Sequence, residues 1–103
     1  MKNAKFFVGQ IIHHKLFNYR GIIYDVDYQF LGGEEWYDKV ARSRPSKNQP
    51  WYHVLVDNAT HKTYVAECNL IVSQNVSPIN NPLLEQYFEL QNGGGYRPYI
   101  IKN

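Results

Sequence analysis

With 103 residues, 44% of them apolar and 19% charged, the chain can bury one modest core, which excludes disorder and leaves room for one domain, residues 1–103. Eleven Lys and Arg against nine Asp and Glu give a net charge of +2, so a surface built throughout for phosphate is excluded and any nucleic-acid footprint must be local. The lone cysteine, Cys68, excludes an internal disulfide and a paired-cysteine zinc site, and no run approaches the ~18 apolar residues of a membrane span.

The first residues, Met1 to Val8, lack the apolar core of a signal peptide, and a reducing cytoplasm is the expected home. Val8 to His14 is apolar and β-branched, which predicts a first strand. After a polar stretch with Asn18, the run Gly21 to Tyr28 alternates with period two. That pattern puts Ile22, Tyr24, Val26 and Tyr28 on a core face and Ile23, Asp25 and Asp27 on the other.

Residues 29–50 form a long connection, broken by Gly32-Gly33, with one or two helical turns over Glu34–Val40 and an open loop from Arg44 to Pro50. A loop of that length in a small domain more often carries function than not. Trp51 to Asp57 is the clearest strand; Asp57-Asn58 turns it, and Thr63 to Ala66 returns as its hairpin partner. Ala66 to Leu70 reads as a tight turn into Ile71-Val72. Five short strands with no long amphipathic helix between them predict antiparallel pairing, closed into a barrel over residues 6–73 to hide the sheet edges.

Residues 78–103 read differently. Asn81 is a good N-cap, Pro82 suits the first helical position, and Leu83, Leu84, Tyr87 and Phe88 recur at helical spacing. Together they predict a short helix over 82–90 docked on the barrel. Asn92-Gly93-Gly94-Gly95 stops it as a hinge, and Tyr96 to Asn103 packs back or adds an edge strand.

Histidines 13 and 14 are adjacent, so on a strand they face opposite ways and cannot share an ion; polar surface histidine is the expectation, with no metal and no cofactor. His53 and Cys68 lack a third orienting group or an oxyanion loop, so catalysis is not expected, and Cys68 reads as a small buried apolar residue. Asp25 and Asp27 share a strand face near Glu67, and a solvated face or a pairing with Arg20 suits them better than acid–base work. The glycine run neither follows a strand nor opens a helix, so it is no phosphate cradle.

The segment from Lys39 to Lys47 carries four of the eleven basic residues, Lys39, Arg42, Arg44 and Lys47. Trp36 and Trp51 bracket it, and Lys15 and Arg20 fall at the first hairpin. Arginine forks grip phosphate, and neighbouring aromatics stack on or wedge against bases. These eight residues are the candidate site for DNA or an acidic partner.

Gly9-Gln10, His14, Tyr19-Arg20-Gly21, Asp25-Val26-Asp27, Pro50-Trp51-Tyr52-His53-Val54-Leu55-Val56, Tyr64-Val65-Ala66-Glu67 and Asn69-Leu70 together resemble the YccV-like family. The resemblance runs over residues 6–73 and more loosely through Pro82, Tyr87-Phe88 and Tyr96-Arg97-Pro98. Members are described as hemimethylated-DNA-binding proteins and, in bacteria, as the heat-shock protein Q. The resemblance implies a mostly β fold: a small SH3-like β-barrel of about five antiparallel strands with a short C-terminal helix and no catalytic activity. It also implies binding of double-stranded hemimethylated DNA or, alternatively, a stress-response role as an adaptor helping the Lon protease degrade denatured proteins such as a replication initiator. Assembly into a homo-oligomer, a trimer, comes with it. Gly9, His14, Gly21, Asp25, Asp27, Tyr52, His53, Glu67 and Asn69 are the motif positions, and several have structural uses: Gly9 and Gly21 suit close strand approach, and Tyr52 with Trp51 and Val54 suits a core or rim. The chain departs from the pattern at Tyr28, where Pro is usual, and at Asn81-Pro82, where His-Pro is often seen.

Overall fold

The computed structural model describes residues 3–99. Strands β1 (Ile11–His14), β2 (Arg20–Asp27), β3 (Trp51–Val56), β4 (Lys62–Ala66) and β5 (Leu70–Val72) form one antiparallel sheet in the order β4-β3-β2-β1-β5. Helix α1 (Glu34–Val40) lies between β2 and β3, and a 3-10 turn, Glu67–Asn69, joins β4 to β5. Helix α2 (Leu84–Tyr87) leads into a separate hairpin of β6 (Phe88–Leu90) and β7 (Tyr96–Pro98).

The largely apolar run of β3, broken only by His53, is explained by cover on both faces. On one face Tyr52 and Val54 join Ile12, Ile23, Val65 and Leu70, so every strand of the sheet feeds one interior cluster. On the other, Leu55 packs with Ile22, Ile79 and Phe88 under the C-terminal hairpin, and Trp51 packs with Tyr37 and Ala66 under α1.

Sharing that cluster requires curl. Four strand spacings of ~4.8 Å would hold β4 and β5 about 19 Å apart in a flat sheet, yet Val65 and Leu70 belong to the same cluster. The curl stops short of the hydrogen-bonded closure expected from the sequence: among the described residues β4 and β5 do not pair. Their short connection is held from two sides instead, with Glu67 N donating to Pro50 O (2.9 Å) and Lys15 N donating to Asn69 O (2.9 Å).

The even period of β2 fails at one residue. The register passes from Ile23↔Val54 to Asp25↔His53, leaving Tyr24 as a bulge. Ile22 and Ile23, ahead of the bulge, are both fully buried because both faces are covered; past it, Val26 turns to the interior cluster while Tyr24 stays with Ile22 outside. Tyr28, expected in the core, lies past the strand end and is 61% exposed.

The helix expected over 82–90 is one turn long. Its N-cap is Leu83, without a side-chain cap, where Asn81 was expected; Asn81 instead shapes the turn before it, its Oδ1 accepting from Leu83 N (2.9 Å) while its Nδ2 donates to Val56 O and His61 O. Phe88 then turns extended (φ −135°, ψ 150°), because its ring is the buried piece that the Ile22–Leu55 cluster takes up. Gly93, Gly94 and Gly95 all have positive φ, near +90°, and turn a hairpin where a helix stop and hinge were expected. Tyr96 pairs with Leu90 in that hairpin; residues 100–103 of the expected tail lie outside the described residues.

Two histidine and cysteine expectations are also reversed. His14 is buried, with Nδ1 accepting from Leu16 N (3.1 Å) and Phe17 N (3.0 Å), which shapes the β1–β2 turn. Cys68 is exposed, because the 3-10 turn points it outward. Arg20 pairs with Asp57 (2.8 Å) and not with Asp25 or Asp27, and it donates to the carbonyls of Asn75, Ser77 and Pro78. Asp57 in turn accepts from Asn80 N (2.7 Å), so this pair ties residues 75–80 to the sheet.

Gly21 sets how closely β2 and β3 approach. A Cβ there would strike the Val54 side chain and come within 2.7 Å of Leu55 O. Gly21→Ala is expected to lower unfolding stability by about 3 kcal/mol, read as a drop in urea midpoint. An unchanged midpoint would show that the two strands can part without cost.

Candidate functional site

The outer face of β3 and β4 is left open between its two covering clusters, and a groove of about 370 Å³ runs there and around the β4 edge. Trp51, His53, Tyr64 and Ala66 form its floor. Trp36, Val40–Ser43 and Pro45 wall one side, and His14, Phe17 and Tyr19 wall the other. Local bonds fix the first wall: Tyr37 OH donates to Pro45 O (2.8 Å), and Trp51 Nε1 donates to Ser46 O (3.2 Å). Phe30 packs edge-on against Trp51 and Tyr37, and Trp36 meets Tyr64 edge-on at 5.6 Å. Tyr19 OH shares a hydrogen bond with Thr63 Oγ1 (2.7 Å), which holds the opposite wall to β4.

A polar strip crosses this aromatic surface. Asp27 Oδ2 accepts from Tyr64 OH (2.7 Å) and from His53 Nε2 (3.0 Å). Burial, and then the bond to Asp27, push the Tyr64 hydroxyl well above the usual tyrosine range. Burial raises Tyr24 to about 12, with Tyr87 and Asp25 adding to the effect. Both therefore act only as neutral hydroxyls at ordinary pH. Asp25, Asp27 and His53 are the one set among the described residues spaced to ligate a cation. Asp27 Oδ2 is already taken by His53 and Tyr64, and Asp25 Oδ1 accepts from Val26 N.

The eight predicted binding residues fall into four groups. Trp36 and Arg42 line the groove, and Arg42 forms no ion pair with a described residue. Lys15 is exposed on the turn that carries the opposite wall. Lys39, Arg44 and Lys47 pair with Glu35, Asp38 and Glu34, so α1 supplies an acid for each of these bases. Arg44 and Lys47 also lie over the Tyr37 ring, at 5.0 and 4.3 Å from its centroid. Arg20 and Trp51 are held by the fold: the first by Asp57 and three carbonyls, the second in the groove floor, where it is only 1% exposed.

Among the motif positions, Asp25, Asp27 and His53 form the polar strip, and His14 and Asn69 line the groove. The others hold the fold. Tyr52 OH donates to Glu67 Oε2 (2.6 Å), which also accepts from Lys5 N, so the N-terminal segment is tied over the interior. Gly9 and Gly21 allow close backbone approach. Sequence reasoning missed Tyr64, Lys62 and Phe17 as groove residues. The register His53↔Tyr64 could have found Tyr64, since cross-strand neighbours share a face.

A small curled antiparallel sheet with an aromatic groove edged by cations defines a mostly β domain with an open outer surface. The whole of residues 4–95 matches the family model described as hemimethylated DNA-binding protein YccV like. The chain belongs to the YccV-like family, a family of DNA-binding proteins.

The His14 contacts carry a pH signature. Burial, followed by the charge of His13, lowers its pKa below the ordinary 6.5. The unfolded chain then binds a proton that the folded chain refuses, so stability falls as pH drops through about 6.5 and levels off below the folded value. His14→Asn, whose side-chain oxygen can accept the same amides, is expected to flatten this fall in urea midpoint between about pH 7 and 5. An equally steep fall in the variant would assign the proton to another group.

Proposed function

We propose that the chain is a non-catalytic module that binds double-stranded DNA, with Lys15, Lys39, Arg42, Arg44 and Lys47 on phosphates and the Trp36–Tyr64 groove wall against the bases. The observation that carries this reading is Arg42, a cation without an acid among the described residues, beside an open aromatic groove in a chain of a DNA-binding family. The acids of α1 do not remove the other bases from play. Ion pairs this exposed are worth about 0–1 kcal/mol, and a phosphate can replace the carboxylate. Arg20 and Trp51 are left out of the interface because the fold holds both.

A preference for hemimethylated DNA fits the apolar wall, which can cover one adenine methyl. A group of that size contributes about 0.8 kcal/mol, or roughly fourfold in affinity. The strand order, with a 3-10 turn before the last strand, supports an SH3-like description of the sheet. A cytoplasmic setting and a link to heat shock accompany this reading.

A second reading, an adaptor for Lon acting on denatured proteins, is favoured by apolar side chains at the groove rim: Phe17 is 72% exposed and Val40 54%. Trimeric assembly is supported by the apolar edge strand β5, where Ile71 and Val72 are half exposed.

Three to five phosphate contacts predict that log K for a duplex falls against log salt with a slope of about −3 to −5. Arg42→Ala with Arg44→Ala should reduce the slope by about 2. Anisotropy titrations on hemimethylated and unmethylated duplexes measure both; a flat salt response, or no change in the double variant, rules the interface out.

A further inference from the structure

The hydrogen bonds between β3 and β4 decide which way each β4 amide points. Val56 N donates to His61 O (3.2 Å) and Glu67 N donates to Pro50 O (2.9 Å). The pairs Val54↔Thr63 and Tyr52↔Val65 fall between these bonds at steps of two. An antiparallel ladder alternates bonded and non-bonded pairs, so Thr63 and Val65 turn their backbone groups toward β3. Lys62 and Tyr64 turn theirs away.

β4 is the last strand of its sheet, and no described residue bonds to the backbone N–H or C=O of Lys62 or Tyr64. Natural edges are usually blunted by a bulge, a proline or a central charge. Here the β4 register is continuous, the strand has no proline, and its one charge, Lys62, stands at its start. The groove opens along this edge, with Thr63 to Ala66 in its lining, Phe17 on one side and Trp36 on the other.

We propose that this edge takes an extended segment of another polypeptide as an added strand. The segment's backbone pairs with Lys62 and Tyr64, and its apolar side chains enter the groove between Phe17 and Trp36. β4 offers five residues, about 16 Å of pairing length, enough for a short unfolded stretch. Acidic residues flank the favoured segment. Arg42 has no acid among the described residues, and Lys62 Nζ lies over the Tyr24 and Tyr87 rings (5.8 and 5.9 Å) with no carboxylate. This inference goes beyond DNA binding and stands without it, because pairing with both the N–H and C=O groups of an edge needs a second peptide backbone.

The test uses the full chain and a fluorescein-labelled peptide, Asp-Val-Thr-Tyr-Val-Thr-Val-Asp, followed by anisotropy. Two further versions carry backbone N-methyl groups on one or the other alternate set of residues. Strand addition faces only one set toward β4, so one version should bind about tenfold or more weakly while the other binds like the parent. The parent peptide should also slow hydrogen exchange at the Tyr64 amide, and Arg42→Glu should weaken binding several-fold. The proposal is overturned by no binding at about 1 mM chain. Equal losses from both methylated versions overturn it too, as does protection of the Tyr64 amide by duplex DNA but not by the peptide, which would give the groove to nucleic acid.

Discussion

Everything at the surface of this protein depends on β3 being covered twice. Six consecutive residues, Trp51 to Val56, alternate between an interior shared by all five strands and an outer face that needs separate cover. Neither α1 nor the C-terminal hairpin is large enough to cover that outer face alone. Each takes one end, through Trp51 or through Leu55, and His53 is left between them. The groove is therefore a remainder of packing, and its aromatic character follows from the rings that border it.

The main sheet was legible because its strands announce themselves by period and by turn residues. Val8–His14 and Trp51–Asp57 are apolar and β-branched, and Asp57-Asn58 marks the hairpin. The bulge at Tyr24 was not, since one inserted residue leaves no compositional trace and only the partner strand reveals it. The C-terminal helix was overread for a physical reason. Leu83, Leu84, Tyr87 and Phe88 satisfy helical spacing, but Phe88 gains more by straightening into the Ile22–Leu55 cluster than by one further helical turn. The basic segment was visible, whereas its neutralisation was not, because Glu34, Glu35 and Asp38 reach it only once α1 has folded. Tyr64 and Lys62 went unnoticed as site residues because they lie on a strand that looks purely structural.

The two arginine environments show how context divides identical chemistry. Arg20 is almost withdrawn from water, and its guanidinium meets a carboxylate and three carbonyls, so removing any partner strands a charge. Arg42 sits in the open with no acid beside it among the described residues and keeps its full capacity for an incoming anion. A tally of positive charge treats them alike; only the first holds residues 75–80 in place.

Cover on both faces also creates an ambiguity in strand alignment. Where one face is wet, sliding a strand by a single residue drives apolar groups into water and is self-correcting. Here a slipped β3 would still present large apolar side chains to either side, and hydrophobicity alone would not reject it. The bare Cα of Gly21 against Val54 and Leu55, with the extra residue at Tyr24, supplies a shape key that fits one alignment. These two positions guard the chain against a misaligned sheet that its greasy pattern would otherwise tolerate.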